Sequence, residues 1–292
     1  MRDHCRNLAA SRLKRCFTDS ARVSGPCQAP LTAYGSEPMS PSKIVAGSQH
    51  DAPTHPELEG RRVFLSGIDG GTGELIASHF ARQRTRLVLH SCQAASSAAA
   101  FADSLKPQAL SVRLFSGAVG TDQAASERLA RAALGAFGGL DLVINLVGAR
   151  NSGSPNASGT RDYEDDVADD LRSALVVSRA VADHARNSGQ GASIMHVCLT
   201  RSKTGREFAR YAMLKTAIES MAQDQARRWF SHDICVYAFV PGIAGDPFED
   251  CIEADNVVPA HANFDSALCS ILLNAAGGRS RWLNGVTVAI PV

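Results

Sequence analysis

Between residues 62 and 290, short apolar segments alternate with longer stretches of helical period, and this alternation constrains the chain more than any other feature. The strand candidates are Arg62–Ser66, Arg86–His90, Ala109–Phe115, Leu142–Val147, Ser193–Cys198, Ile234–Val240 and Val286–Ile290. Between them lie helical stretches at Thr72–Arg82, an alanine-rich run ending at Leu105, then Asp122–Phe137, Tyr163–Arg186, Glu207–Phe230 and Phe264–Leu273. Ala125, Leu129, Ala133 and Phe137 fall on one stripe, as do Leu214, Ile218, Met221 and Ala222. Leu142–Val147 is almost continuously apolar, as a strand covered on both faces is. Strands alternating with helices predict a single α/β domain, a doubly wound parallel sheet of about seven strands with helices on both faces.

The first strand runs directly into Ser66-Gly-Ile-Asp-Gly-Gly-Thr-Gly73, with glycines at 67, 71 and 73 ahead of a helix. A turn of this kind lets the backbone approach a pyrophosphate, and the helix N-terminus presents free N–H groups and the positive end of its dipole. The spacing is GxxxGxG rather than GxGxxG. Glycines in a loop are weak evidence alone and gain weight from standing at the first strand–helix junction. Asp69, a negative residue within the turn, is expected to point to solvent. The second strand ends at His90-Ser91-Cys92. An acid there would hold the adenosine ribose and favour NAD. Ser91 stands in that place, so the expectation leans to NADP, with Arg82 or Arg84 as helpers.

Tyr211 and Lys215 are four residues apart and share one helical face. A phenol of pKa about 10 is a poor acid or base at neutral pH, and a neighbouring ammonium stabilises its phenolate. Such a pair would exchange a proton with an alcohol or carbonyl oxygen while hydride moves to or from a nicotinamide. An isolated YxxxK is usually a solvated pair; its place, opening the helix after the fifth strand, lifts it here.

Taken together these segments resemble the short-chain dehydrogenase/reductase family over residues 60–292. Ser66–Gly73 resembles the family's TGxxxGIG turn, and Asp141–Gly148 the strand ending in NNAG. Tyr211 and Lys215 match its YxxxK, Pro241-Gly242 its PG motif, and Leu283-Asn-Gly285 its final TG turn. The resemblance implies one Rossmann-type domain using NAD(H) or NADP(H) to interconvert an alcohol and a carbonyl. It makes Tyr211 the acid/base and has Lys215 lower its pKa and hold the nicotinamide ribose. It implies cofactor contacts at Gly67, Ile68, Gly71, Thr72, Gly73, Ser91, Asn145, Gly148, Pro241 and Gly242.

This sequence also departs from the pattern. Leu146 and Val147 replace the second Asn and the Ala of NNAG, Asp170 aligns with the helix asparagine that orders a relay water, and Asp246 replaces a threonine after PG. The substrate-binding serine is absent: counting back from Tyr211 reaches Cys198, and strand alignment reaches Leu199, with Thr200 adjacent and Ser202 further on. Thr200 and Cys198 are the candidate replacements, although a thiol is the weaker donor. Losing one such contact ordinarily costs roughly a hundred- to a thousandfold in rate. The competing expectation is therefore a diverged member that binds a dinucleotide or a partner without turnover. His196, inside the fifth strand, reads as a hydrogen-bonded core residue.

The remaining expectations come from composition. Net charge is +1, which favours neither nucleic acid nor an acidic membrane surface. No apolar run reaches the roughly 20 residues of a membrane span. The eight cysteines form no CxxC pair, so reduced thiols in a cytoplasm are expected and a metal site is not. Residues 1–58, rich in proline and serine, read as a disordered extension to a 59–292 domain, with Met39 as an alternative start or the basic first residues as a transit peptide. The substrate is expected to be small and lipophilic, under a lid at 243–258. The family likeness suggests a homodimer or homotetramer packed through the two long helices.

Overall fold

The structure, a computed structural model, describes residues 54–92, 95–117, 119, 122–148, 160–199, 205–242, 261–278 and 281–291. All seven expected strands form: β1 (Arg62–Ser66), β2 (Arg86–Ser91), β3 (Ser111–Ser116), β4 (Leu142–Val147), β5 (Ala192–Cys198), β6 (Ile234–Gly242) and β7 (Thr287–Pro291). Six helices separate them: α1 (Gly71–Arg82), α2 (Ala95–Leu105), α3 (Gln123–Phe137), α4 (Thr160–Ser188), α5 (Gly205–Trp229) and α6 (His261–Ala276). The strands make one parallel sheet in the order β3-β2-β1-β4-β5-β6-β7.

Strand alternation sorts the apolar side chains between two layers. Val63 and Leu65 pack with Phe80 of α1 and Phe264 and Leu268 of α6. Phe64 and Val143 pack on the other face with Leu129, Val177, Val181 and Trp229 from α3, α4 and α5. Helix α3 shows its local causes plainly. The Asp122 carboxylate accepts from Ala124 N at its start, and Gly138 ends it in the left-handed conformation.

Several expected boundaries shift, and three of the shifts have a clear local cause. The third strand begins at Ser111, because Ala109 and Leu110 belong to the turn after α2, with Leu110 N bonded to Thr85 O. The sixth extends through Pro241 and Gly242, which pair with Ile290 and Pro291 of β7. Pairing with β5 has stopped by then, at Phe239, so the missing proline N–H is asked for by no neighbour. The domain also starts before residue 59: Leu58, in the turn Pro56–Leu58, is buried in the core, and His55 N donates to Gln83 Oε1 at 2.8 Å. The rest of the expected extension, 1–53, lies outside the described residues.

At the N-terminal edge of the sheet, Arg62 clamps Asp141 with Nε at 3.0 Å and Nη2 at 2.6 Å, while Arg62 N donates to the same carboxylate at 2.8 Å. Burial works to raise the Asp141 pKa, but the Arg62 hydrogen bonds and charge prevail and hold it below the carboxylate range. A depressed native pKa contributes stability that is present above the unfolded value and lost as pH falls through the native one. Thermal unfolding of Asp141→Asn should therefore lie below wild type at neutral pH and converge with it under acid. A constant gap down to acid pH would show that the clamp contributes nothing through its charge.

Candidate active site

The crossover from β3 to β4 puts β4 against β1 on the side away from β2, so successive connections leave the sheet in opposite directions there. A crevice opens at such a switch point, outside the strand C-termini. It is bordered by Gly67 and Asp69 from the turn after β1, His90 and Cys92 from β2, Leu146 from β4, and Asp170 and Ser173 from α4.

The glycine turn is built as expected. Gly67 adopts φ 72°, in the left-handed region. A Cβ on Gly73 would meet Ile68 Cα at 2.8 Å and Gly67 O at 2.9 Å, so no side chain fits where α1 touches the turn. Gly70 and Gly71 have nothing within 4 Å of that position, and no side chain caps the N-terminus of α1. Open backbone before an uncapped helix fits a dinucleotide pyrophosphate. The two flanking residues act differently: the Ile68 side chain is buried in the core, and the Thr72 hydroxyl donates to Asp265 Oδ1 on α6 at 3.0 Å.

Two expectations at this end are overturned. Asp69 does not point to solvent. Its carboxylate accepts from Ser91 Oγ at 2.5 Å and from Cys92 N at 2.8 Å. The premise that no acid neighbours Ser91 therefore fails, because the acid arrives from the turn rather than along β2. Arg84 cannot help a phosphate at Ser91: it follows α1 at the opposite end of the six-residue β2, paired with Glu59 at 3.0 Å. Asn145 sits in β4 beside Ser66 of β1. It is buried, and its Nδ2 lies 3.0 Å from Ser178 Oγ and 3.3 Å from His196 Nδ1, while His196 Nε2 lies 3.0 Å from Gln225 Oε1. Full burial drives the His196 pKa down to about 4, against the pull of the Gln225 bond, so this histidine is a neutral core residue as expected.

Tyr211 and Lys215 share a face of α5 near the ends of β5 and β6. Tyr211 is 3% exposed, and its hydroxyl donates to Pro241 O at 2.7 Å. Burial, then the charges of Cys198 and Glu219, push its pKa up to about 12. This is opposite to the expected lowering by Lys215, which is half-buried one turn along. Cys198 packs in the same cluster as Tyr211, Val147 and Val240, whereas Leu199 packs on the α1/α6 face. Strand alternation thus puts the thiol, not the leucine, beside the phenol. Thr200 and Ser202 lie outside the described residues, as do Asp246 and the segment 243–258.

Asp170 lies on α4 and borders the crevice. Its Oδ2 accepts from Gly148 N at 3.1 Å and pairs with Arg210 Nη2 at 3.1 Å, with Asp170 and Arg210 side chains only 9% and 2% exposed. Arg210, next to Tyr211, was invisible to motif reading because an arginine on a helix ordinarily faces solvent. This pair ties the end of β4 to α4 and to the residue before the tyrosine. A Cβ on Gly242 would meet Ala289 Cβ and Ile290 O, both at 3.3 Å, so β6 and β7 lie close there. Among the described residues no group of His, Cys, Asp and Glu could hold a metal ion, and no helix is long and apolar enough to cross a membrane.

Comparison with known proteins agrees with this geometry. A family model described as enoyl-(acyl carrier protein) reductase matches residues 67–268. Gluconate 5-dehydrogenase of Gluconobacter oxydans is 26% identical over 210 residues, covering 69% of this chain and 79% of that protein. Sorbitol dehydrogenase of Cereibacter sphaeroides is 24% identical over 199 residues, covering 68% and 75%. The fold matches a short-chain dehydrogenase from Burkholderia cenocepacia solved in complex with NADP, with TM-score 0.62 and 24% identity over 80% of this chain and 98% of that one. From the glycine turn to α6, in sequence and in fold, this chain belongs to the short-chain dehydrogenase/reductase family, whose cofactor is NAD(H) or NADP(H).

Proposed function

We propose that the chain is an active NAD(P)(H)-dependent oxidoreductase that interconverts a secondary alcohol and a carbonyl on a small substrate. One observation carries this reading: Tyr211 and Lys215 stand one turn apart on α5 at the strand C-termini that also bear the glycine turn. Binding alone needs no phenol at that place. Bound there, the dinucleotide supplies hydride chemistry at its nicotinamide. Tyr211 would donate its proton to, or take one from, the substrate oxygen after leaving Pro241 O. Lys215 would stabilise the phenolate and hold the nicotinamide ribose. Cys198, or Thr200, would give the substrate oxygen its second contact.

The names of the relatives favour a polyol or aldonate over the lipophilic substrate expected from the 243–258 segment. No disulfide joins Cys92, Cys198, Cys235 or Cys269, which supports a reducing cytoplasmic setting. Leu175, exposed on α4, supports a homodimer or homotetramer packed through α4 and α5. The test follows reduced-nicotinamide absorbance with both dinucleotides over a panel of sugar alcohols, aldonates and lipophilic alcohols and ketones. Turnover of a polyol or aldonate is the expected result. Tight dinucleotide binding without turnover on any member would favour the second reading, a non-catalytic subunit, which the raised Tyr211 pKa and the missing serine support.

A further inference from the structure

Asp69 is the one charged residue that the turn sends to the end of β2. Its two carboxylate oxygens are anchored separately, Oδ1 by the Ser91 hydroxyl and Oδ2 by the Cys92 amide. Ser91 is itself buried, so the anchor does not swing with solvent. Asp69 and Cys92 border the crevice together with Val119 and Leu146, the apolar side chains available there to an adenine ring.

We infer that Asp69 is the specificity residue for the adenosine half of the cofactor: it accepts the ribose 2′- and 3′-hydroxyls and selects NAD(H) over NADP(H). The inference rests on the dinucleotide-dependent reading proposed above. The usual device is an acid carried at the end of the second strand. Here the strand contributes only a serine and a backbone amide, and the glycine turn delivers the carboxylate to them across 22 residues of sequence. A vicinal diol supplies two donors to that carboxylate. A 2′-phosphate supplies none when ionised and brings a charge of about −1.5 to −2 against it. Like charges placed together in this way ordinarily cost on the order of a hundredfold in affinity.

Calorimetric titration of the full-length chain with NADH and with NADPH tests this without any substrate. Wild type should bind NADH roughly a hundredfold more tightly than NADPH, the size expected of a like-charge clash. In Asp69→Asn and Asp69→Ser the preference should shrink to within a few-fold, mainly by a gain for NADPH, with unfolding temperature as the check on the fold. Equal or tighter NADPH binding by wild type overturns the inference and leaves the oxidoreductase reading intact. So does an unchanged preference in folded variants. Binding of neither dinucleotide overturns both.

Discussion

Tyr211→Phe is expected to lower kcat about a hundred- to ten-thousandfold, the usual contribution of a positioned acid/base, with dinucleotide affinity unchanged. The substitution removes one oxygen, so the fold should persist. The Pro241 carbonyl loses the donor it has at 2.7 Å, a loss of about 1–3 kcal/mol against the 5–15 kcal/mol typical of a domain. Single-turnover assays on the best panel substrate, with circular dichroism as control, measure both. The wild-type pH profile carries a signed companion result. A phenol pushed up to about 12 by burial stays protonated through neutral pH. It can then donate in carbonyl reduction, whose kcat/KM should be flat there. Alcohol oxidation needs the phenolate, so its kcat/KM should rise about tenfold per pH unit. An oxidation profile already flat at neutral pH would mean that the Lys215 ammonium, not burial, sets the phenol. A Phe variant that turns over as wild type does would remove Tyr211 from the mechanism.

The second large effect is on stability. Arg210→Ala, or Asp170→Ala, should cost about 3–5 kcal/mol, because each leaves the partner's charge buried and uncompensated. Asp170→Ala also strips an acceptor from Gly148 N. Replacing both members, as in Arg210→Met with Asp170→Leu, should recover much of that loss, since an apolar pair avoids the desolvation of two ions. Urea unfolding of the two single variants and the double variant measures the coupling. Additive losses would mean that the pair does not interact as the 3.1 Å contact indicates. Activity separates the roles. If Asp170 only positions, the stable double variant should keep the wild-type pH profile with a modest fall in kcat. If it relays protons, the double variant should lose the profile itself.

Much of this molecule is local, and local features are legible in sequence. The parallel sheet follows from apolar segments separated by helical ones, as at Leu142–Val147, buried throughout. The turn follows from glycines at a strand–helix junction, where φ 72° at Gly67 and the close approach at Gly73 exclude side chains. The shared face of Tyr211 and Lys215 follows from the 3.6-residue helical period. Alternation also explains why counting to Cys198 found the residue beside the phenol, while Leu199 faces the other layer.

The polar pairings were not legible, and each spans a long stretch of chain. Asp69 meets Ser91 across 22 residues, Tyr211 meets Pro241 across 30, and Arg210 meets Asp170 across 40. A carboxylate in a turn, or an arginine on a helix, has the same local signature whether it faces solvent or a buried partner. What decides is which strand end the sheet order sets beside it, and how much water the packing leaves. The sequence alone determined the architecture and the residue types available for chemistry. Only the tertiary structure decided that Asp69 is bonded to the end of β2, that Asp170 is bound to Arg210, and that the Tyr211 phenol is held neutral against Pro241, because charge, hydrogen-bond partner and burial are set by neighbours in space rather than along the chain.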